Sequence, residues 1–174
     1  MSRLQQLLDE LCPNGVEYRE LGEICTIETG KKNANAMVLG GKYRFFTCST
    51  AISQINTYCW DTEAILIAGN GHIGTVHYYI GKFDAYQRTY VLTSFRKDIL
   101  PKYIYYVTLH FFKEYALMKT HEASVPYIVL KTVMSFPIPT PPPTRSRRDS
   151  AYIRYVYRDC SGATEGATSE EEAI

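Results

Sequence analysis

Ala64-Ile65-Leu66-Ile67-Ala68 leads into Gly69-Asn70-Gly71-His72-Ile73-Gly74, then into Thr75-Val76-His77-Tyr78-Tyr79-Ile80, followed by Gly81-Lys82. The hexapeptide spells G-x-G-x-x-G. In a dinucleotide-binding protein such glycines follow a strand and open a helix whose N-terminal amides hold a pyrophosphate. Here the residues that follow are β-branched and aromatic, a strand composition ending in a turn at Gly81-Lys82. With no helix after the glycines and no strand-helix-strand unit of ~30 residues, a phosphate cradle has nothing to form from. The glycines are read as a hairpin connection between two strands, and the stretch from Asp61 to Leu92 continues into Phe83 to Leu92. Loops on a rigid sheet are where recognition concentrates. Asn70, His72, Gln87, Arg88 and Thr89 carry side chains able to read hydrogen-bonding edges if the sheet presents them together.

The chain has 174 residues, 45% of them hydrophobic, with 15 tyrosines, which favours one domain with a core plus an appendage over a disordered chain. No apolar run approaches the ~20 residues that span a bilayer. Met1-Ser2-Arg3-Leu4-Gln5-Gln6 also lacks the apolar core of a signal peptide, so the expected location is the cytoplasm, without membrane contact. Cys12, Cys25, Cys48, Cys59 and Cys160 are odd in number and scattered, with no C-x-x-C pair and no histidine at zinc-ligand spacing. They are expected to be reduced, mostly buried thiols. His72, His77, His110 and His121 are not spaced as a metal set, so no metal site is expected.

The formal net charge of +1 conceals a division along the chain. Residues 1–28 hold two arginines against six acids, net −4; residues 29–97 hold eight cations against Asp61, Glu63 and Asp84, net +5; residues 98–174 balance. A basic middle attracts phosphates whatever the total.

Taken in order, Ser2 caps an expected helix through Leu11, which Cys12-Pro13-Asn14-Gly15 stops. Val16 to Arg19 alternates as a short strand, Leu21 to Ile24 is a turn of helix, and Cys25 to Thr29 is a strand ended by Gly30. Lys31 to Ala36 has no regular periodicity and is expected to be an exposed loop. Tyr43 to Cys48 alternates as a strand, left through polar residues 49–54. Pro101 suits a helix first turn, and Ile104, Val107, Phe111, Tyr115 and Met118 follow at spacings of three and four, predicting a core-facing stripe. Lys119 to Ser124 reads as a polar linker, Ile128 to Met134 as a short helix, and Phe136 to Pro139 as extended.

Leu11 to Tyr18, Leu21-Gly22-Glu23-Ile24, Thr29-Gly30-Lys31-Lys32, the Ile65 to Gly74 run, Val125-Pro126-Tyr127 and Phe136-Pro137-Ile138-Pro139 together resemble a target recognition domain of a type I restriction-modification specificity subunit. The likeness covers about residues 4–143. It implies a single α+β domain over 1–139, with a twisted, mainly antiparallel sheet, one long packing helix and short helices. It also implies sequence-specific reading of double-stranded DNA. In that family two such domains are separated by long helices that dock the modification (methyltransferase) subunits, and a restriction subunit translocates and cuts DNA. S-adenosylmethionine, ATP and Mg belong to those partners, and no cofactor is expected here. The chain shows no Asn/Asp-Pro-Pro-Tyr/Phe methyltransferase motif and no Walker-type phosphate loop, so recognition without chemistry is expected. A non-catalytic protein-interaction module is the alternative from another class, because a tyrosine-rich surface serves it equally well.

By side-chain chemistry, Lys31, Lys32 and Arg44 are candidates for phosphate contacts, and Asn33, Asn35, Gln54, Asn70, His72, Gln87 and Arg88 for base edges. Asn and Gln grip adenine bidentately and Arg grips guanine.

The residues after Pro143 depart from the family pattern. After a proline-rich hinge an amphipathic helix is expected, yet the sequence from Arg145 to Glu172 has no apolar face and reads as an irregular, disordered tail. Synonymous codons exist for Ser146 to Ile174 that, read one nucleotide later, encode an amphipathic segment resembling the family's helix. This predicts a frameshifted or truncated gene. Its product would be monomeric, bind at most a half-site, and be a relic of the subunit. The competing reading has Tyr152, Tyr155 and Tyr157 add a strand to the domain's own sheet.

Overall fold

The structure, a computed structural model, describes residues 17–119 and 127–140. The expected Ser2 to Leu11 helix, most of the polar linker with His121, and the tail beyond Thr140 lie outside those residues. In chain order the elements are β1 (Glu17–Glu20), α1 (Leu21–Ile24), β2 (Thr26–Thr29), a 3-10 turn (Ala34–Ala36), β3 (Tyr43–Phe46), β4 (Ser53–Ile55) and β5 (Trp60–Ala68). There follow β6 (Val76–Ala85), β7 (Thr89–Thr93), α2 (Pro101–Lys119), α3 (Leu130–Met134) and β8 (Pro137–Thr140).

β2, β7, β5, β6, β3 and β4 form one six-stranded sheet in that spatial order. Its pairs are antiparallel except β3 beside β6, so the fold is α+β with a mainly antiparallel sheet. β1 and β8 make a separate two-stranded ribbon that ties the two ends of the described chain together, Glu17 opposite Thr140.

The register shows that the sheet coils. Trp60 lies opposite Phe83, while Ala68, at the other end of β5, lies opposite Thr89. The six steps from Phe83 to Thr89 reach about 20 Å, whereas the eight steps along β5 span about 26 Å in a flat sheet. The end of β6 must therefore curl back over the sheet. Two separate cores follow from this. Ile65, Ile67, Tyr90 and Leu92 face α2 with Ile104, Val107 and Phe112, while Ala64, Leu66 and Val91 face Phe46, Phe83 and Ala85. A strand covered on both faces loses the alternation of a half-buried strand. That is why residues 64–68 read as an unbroken apolar run.

Two sequence expectations change. Gly81-Lys82 is not a turn: β6 runs through it to Ala85, with Gly81 at a φ of +129° that a side chain rarely adopts. The turn comes instead at 86–88. The stripe predicted on α2 is also displaced, because the buried residues are Tyr103, Ile104, Val107, Thr108, Phe112 and Ala116, while Phe111 and Met118 are 50% and 61% exposed. Residues 104, 108, 112 and 116 follow an i+4 ridge, which drifts about 40° around the axis per step. The buried face of the helix therefore winds around its axis, and Phe112 on it meets Phe136, whose ring lies 5.2 Å away.

Candidate nucleic-acid interface

Segments far apart in the sequence are bonded together at one end of the coiled sheet. Gly30 N donates to Thr89 O at 3.0 Å, Gln87 N to Lys32 O at 2.9 Å, Gly69 N to Arg88 O at 2.9 Å, and His72 N to Cys48 O at 3.3 Å. Lys32 also forms an isolated parallel bridge with Tyr86. The loop expected at 31–36 is thus anchored at its start and ordered into a 3-10 turn at its end. The glycines permit this closeness. A β-carbon on Gly69 would lie 2.5 Å from Arg88 O, and one on Gly74, at a φ of +83°, would lie 2.6 Å from the Lys113 side chain. The G-x-G-x-x-G string thus records backbone close approach within a hairpin connection, not a phosphate cradle.

The structure brings Lys31, Lys32, Asn70, His72, Gln87 and Arg88 together around these bonds. Lys31, His72, Gln87 and Arg88 are exposed, and Lys32 and Asn70 are half-buried. Asn33 and Asn35 are exposed on the adjoining 3-10 turn, Asn33 as its N-cap. Arg44 and Gln54 lie elsewhere, paired across β3 and β4. Arg44 is exposed, whereas the Gln54 side-chain oxygen accepts from Gly40 N at 2.9 Å and holds the 38–41 turn. Thr89 is no reader of edges: it is 1% exposed, and its hydroxyl donates to Phe46 O.

Among the described residues, Lys31, Lys32, Arg44 and Arg88 make no salt bridge, while Arg19, Lys82 and Arg96 do. Cations that are not neutralised by an acid within the fold suit a polyanion, because their charge is not spent internally. Beneath them Asp84 is fully buried, accepting from Thr57 Oγ1 and from Ala85 N at 3.0 Å each. Burial pushes the neighbouring Cys59 thiol up, reinforced by Asp84 and opposed by Lys32 and Lys31. Cys25, Cys48 and Cys59 are free thiols. Cys25 and Cys48 are half-buried and Cys59 is exposed, so none of the described cysteines is fully buried as expected, and Cys12 and Cys160 lie outside the described residues. Burial also holds His77 below its ordinary range, opposed by a hydrogen bond with the Ser49 backbone. No group of three or more His, Cys, Asp or Glu is placed to hold a metal among the described residues, and no described helix is long and apolar enough to cross a membrane.

A cleft of about 210 Å³ opens beside this cluster, lined by Gly69, Gln87, Arg88, Tyr90, Tyr127 and Ile128. Its wall is built by Ile128 N donating to Gly69 O at 2.8 Å and by the Tyr90 hydroxyl donating to Ile128 O at 2.6 Å. Burial pushes the Tyr90 phenol up to about 12, so it remains a donor. Sequence reasoning missed Tyr127, although it stands in the Val125-Pro126-Tyr127 string, and missed Cys48, whose thiol donates to Arg88 O at 3.2 Å. An aromatic residue just after a proline was the available signal, but nothing local ties it to Arg88.

Comparison with known proteins gives a consistent result. The family described as "Type I restriction modification DNA specificity domain" matches residues 13–170. The Type I restriction enzyme EcoDI specificity subunit of Escherichia coli is 53% identical over 73 residues, which is 42% of this chain and 16% of that protein. The S subunit of a type I restriction-modification system from M. genitalium superimposes with a TM-score of 0.65 at 14% identity, over 83% of this chain and 38% of that one. The HsdS subunit from Thermoanaerobacter tengcongensis gives 0.62 at 17% identity, over 91% and 43%. These structural likenesses show the fold, and the chain spans less than half the length of each relative. With the family match running over most of its length, the chain belongs to the type I restriction modification DNA specificity domain family.

Proposed function

We propose that this domain reads a short duplex DNA sequence, as one recognition unit of a type I restriction-modification specificity subunit. The observation that carries the reading is the gathering of Lys31, Lys32, Gln87, Arg88, Asn70 and His72 at one sheet end, stitched by backbone hydrogen bonds and lacking salt bridges. Lys31 and Lys32 hold phosphates and fix the register; Asn33, Asn35, Asn70, His72, Gln87 and Arg88 are the candidates for base edges. Arg44 extends the basic surface along β3 as a phosphate contact. Gln54 is the weakest of the original candidates, since its carbonyl is already engaged.

The domain is non-catalytic in this reading, as befits a DNA specificity domain. Partner modification subunits bring S-adenosylmethionine and methylate adenine, and a restriction subunit brings ATP and Mg. We infer further that the recognition unit spans about residues 1–139, with Thr140 completing its ribbon opposite Glu17, that it works in the cytoplasm, and that after a proline-rich hinge the reading frame shifts near Ser146, so that this product stays monomeric.

Selection from a random duplex library, followed by a salt titration of the recovered sequence, tests the central claim. A single enriched motif is expected, with log affinity falling linearly against log salt at a slope near −0.9 per phosphate neutralised. Recovery of no motif, or salt-insensitive binding to a protein partner instead, would favour an interaction module.

A further inference from the structure

The turn at 86–88 carries a device that distance in sequence hides. The Arg88 guanidinium lies over the Tyr127 ring, 5.6 Å from its centroid. Both ends of this pair are fixed. Arg88 O accepts from Gly69 N and from Cys48 Sγ, so the backbone under the arginine is held from two sides. Next to Tyr127, Ile128 donates to Gly69 O and accepts from Tyr90, so the same glycine anchors both partners. Arg88 makes no salt bridge among the described residues, and its side chain is exposed.

A cation–π contact restricts an arginine's rotamers without engaging its N–H groups in an ion pair, so the guanidinium's donors stay available to a ligand. A flexible phosphate-binding cation has no need of such support, since a point charge serves. A guanidinium fork held in place suits a planar acceptor pair, and in the major groove that pair is O6 and N7 of guanine. Pre-organisation of this kind raises affinity by lowering the ordering cost on binding.

We propose that Arg88 reads the O6/N7 edge of one guanine, and that Tyr127 is its positioning residue, keeping the guanidinium in place before DNA arrives. The inference rests on the DNA-reading function proposed above, and adds which residue sets one base and what orients it.

The test measures the full chain on the duplex recovered from the random library and on the same duplex with each base pair exchanged in turn. Arg88→Lys, which keeps the charge, is expected to lose about tenfold discrimination at a single G·C pair, with the salt slope unchanged. Tyr127→Leu, which keeps bulk but removes the π face, is expected to lose part of the preference at that same pair, and Tyr127→Phe to retain it. The Arg88→Lys/Tyr127→Leu double variant should be no worse than Arg88→Lys alone. Tyr127 is 49% exposed, so its replacement opens no core cavity, and thermal melting checks that the fold is kept. If Arg88→Ala weakens every duplex equally and reduces the salt slope by about one, Arg88 is a phosphate contact and the proposal is overturned. Additive losses in the double variant overturn the role of Tyr127. A wild-type chain that binds no duplex sinks the DNA reading and this inference together, whereas sequence-selective binding that Arg88→Lys leaves intact sinks this inference alone.

Discussion

Gly30 lies so close against Ala85 that a β-carbon on the glycine would come within 2.2 Å of the Ala85 carbonyl oxygen. This contact closes the coil, bringing the end of β2 against the end of β6 where Gly30 N also donates to Thr89 O. Gly30→Ala must push two backbones apart, an overpacking that costs about 2 kcal/mol or more. A urea titration should show the midpoint falling with little change in slope. An unchanged midpoint would mean that the coil is looser than its register implies.

The two neighbouring phenylalanines of α2 make opposite predictions. Phe112 is fully buried against Phe136, and Phe112→Ala should cost about 3–5 kcal/mol. Phe111 is half-exposed, and Phe111→Ala should cost well under about 1 kcal/mol. Equal losses from the two would restore the straight stripe predicted from spacing alone.

His77 sits against the Phe46 ring, with centroids 5.5 Å apart, and burial lowers its pKa from the ordinary 6.5. Burial lowers that of His110 too. Below the ordinary value the unfolded chain takes up protons that the folded chain refuses, so stability should fall as pH drops through that value towards the folded pKa. Between about pH 7.5 and 5.5, where unperturbed carboxylates stay ionised, His77→Phe should flatten the slope. Equal slopes in the two proteins would assign the dependence to other groups.

Lys31 and Gln54 separate binding from scaffolding. Lys31→Ala should weaken binding to all duplex sequences alike and reduce the salt slope by about one, leaving the melting temperature unchanged. Gln54→Ala removes the acceptor for Gly40 N and should cost about 1 kcal/mol of stability, with little effect on affinity. Loss of sequence preference in Gln54→Ala would return that residue to the reading surface.

Local chemistry was readable in the linear sequence. The apolar run 64–68, the β-branched strand after Gly74, and Pro101 opening a helix each express preferences of residues for their near neighbours, and they sufficed to set aside a nucleotide fold, while the α+β domain was expected from the family resemblance. The types of side chain suited to DNA were equally plain. Tertiary structure alone decided which of them meet. Gly81 looked like a turn because a glycine with positive φ marks turns more often than strand interiors, yet pairing with Thr62 carries the strand straight through it. Thr89 looked available because threonine is polar, but the coil buries it under Phe46. Arg88 and Tyr127 stand 39 positions apart, and the bonds that Gly69 makes to Arg88 and Ile128, with those of Cys48 and Tyr90, set one over the other. Propensity acts over a few residues, whereas register, coiling and the gathering of a site follow from which distant side chains bury one another.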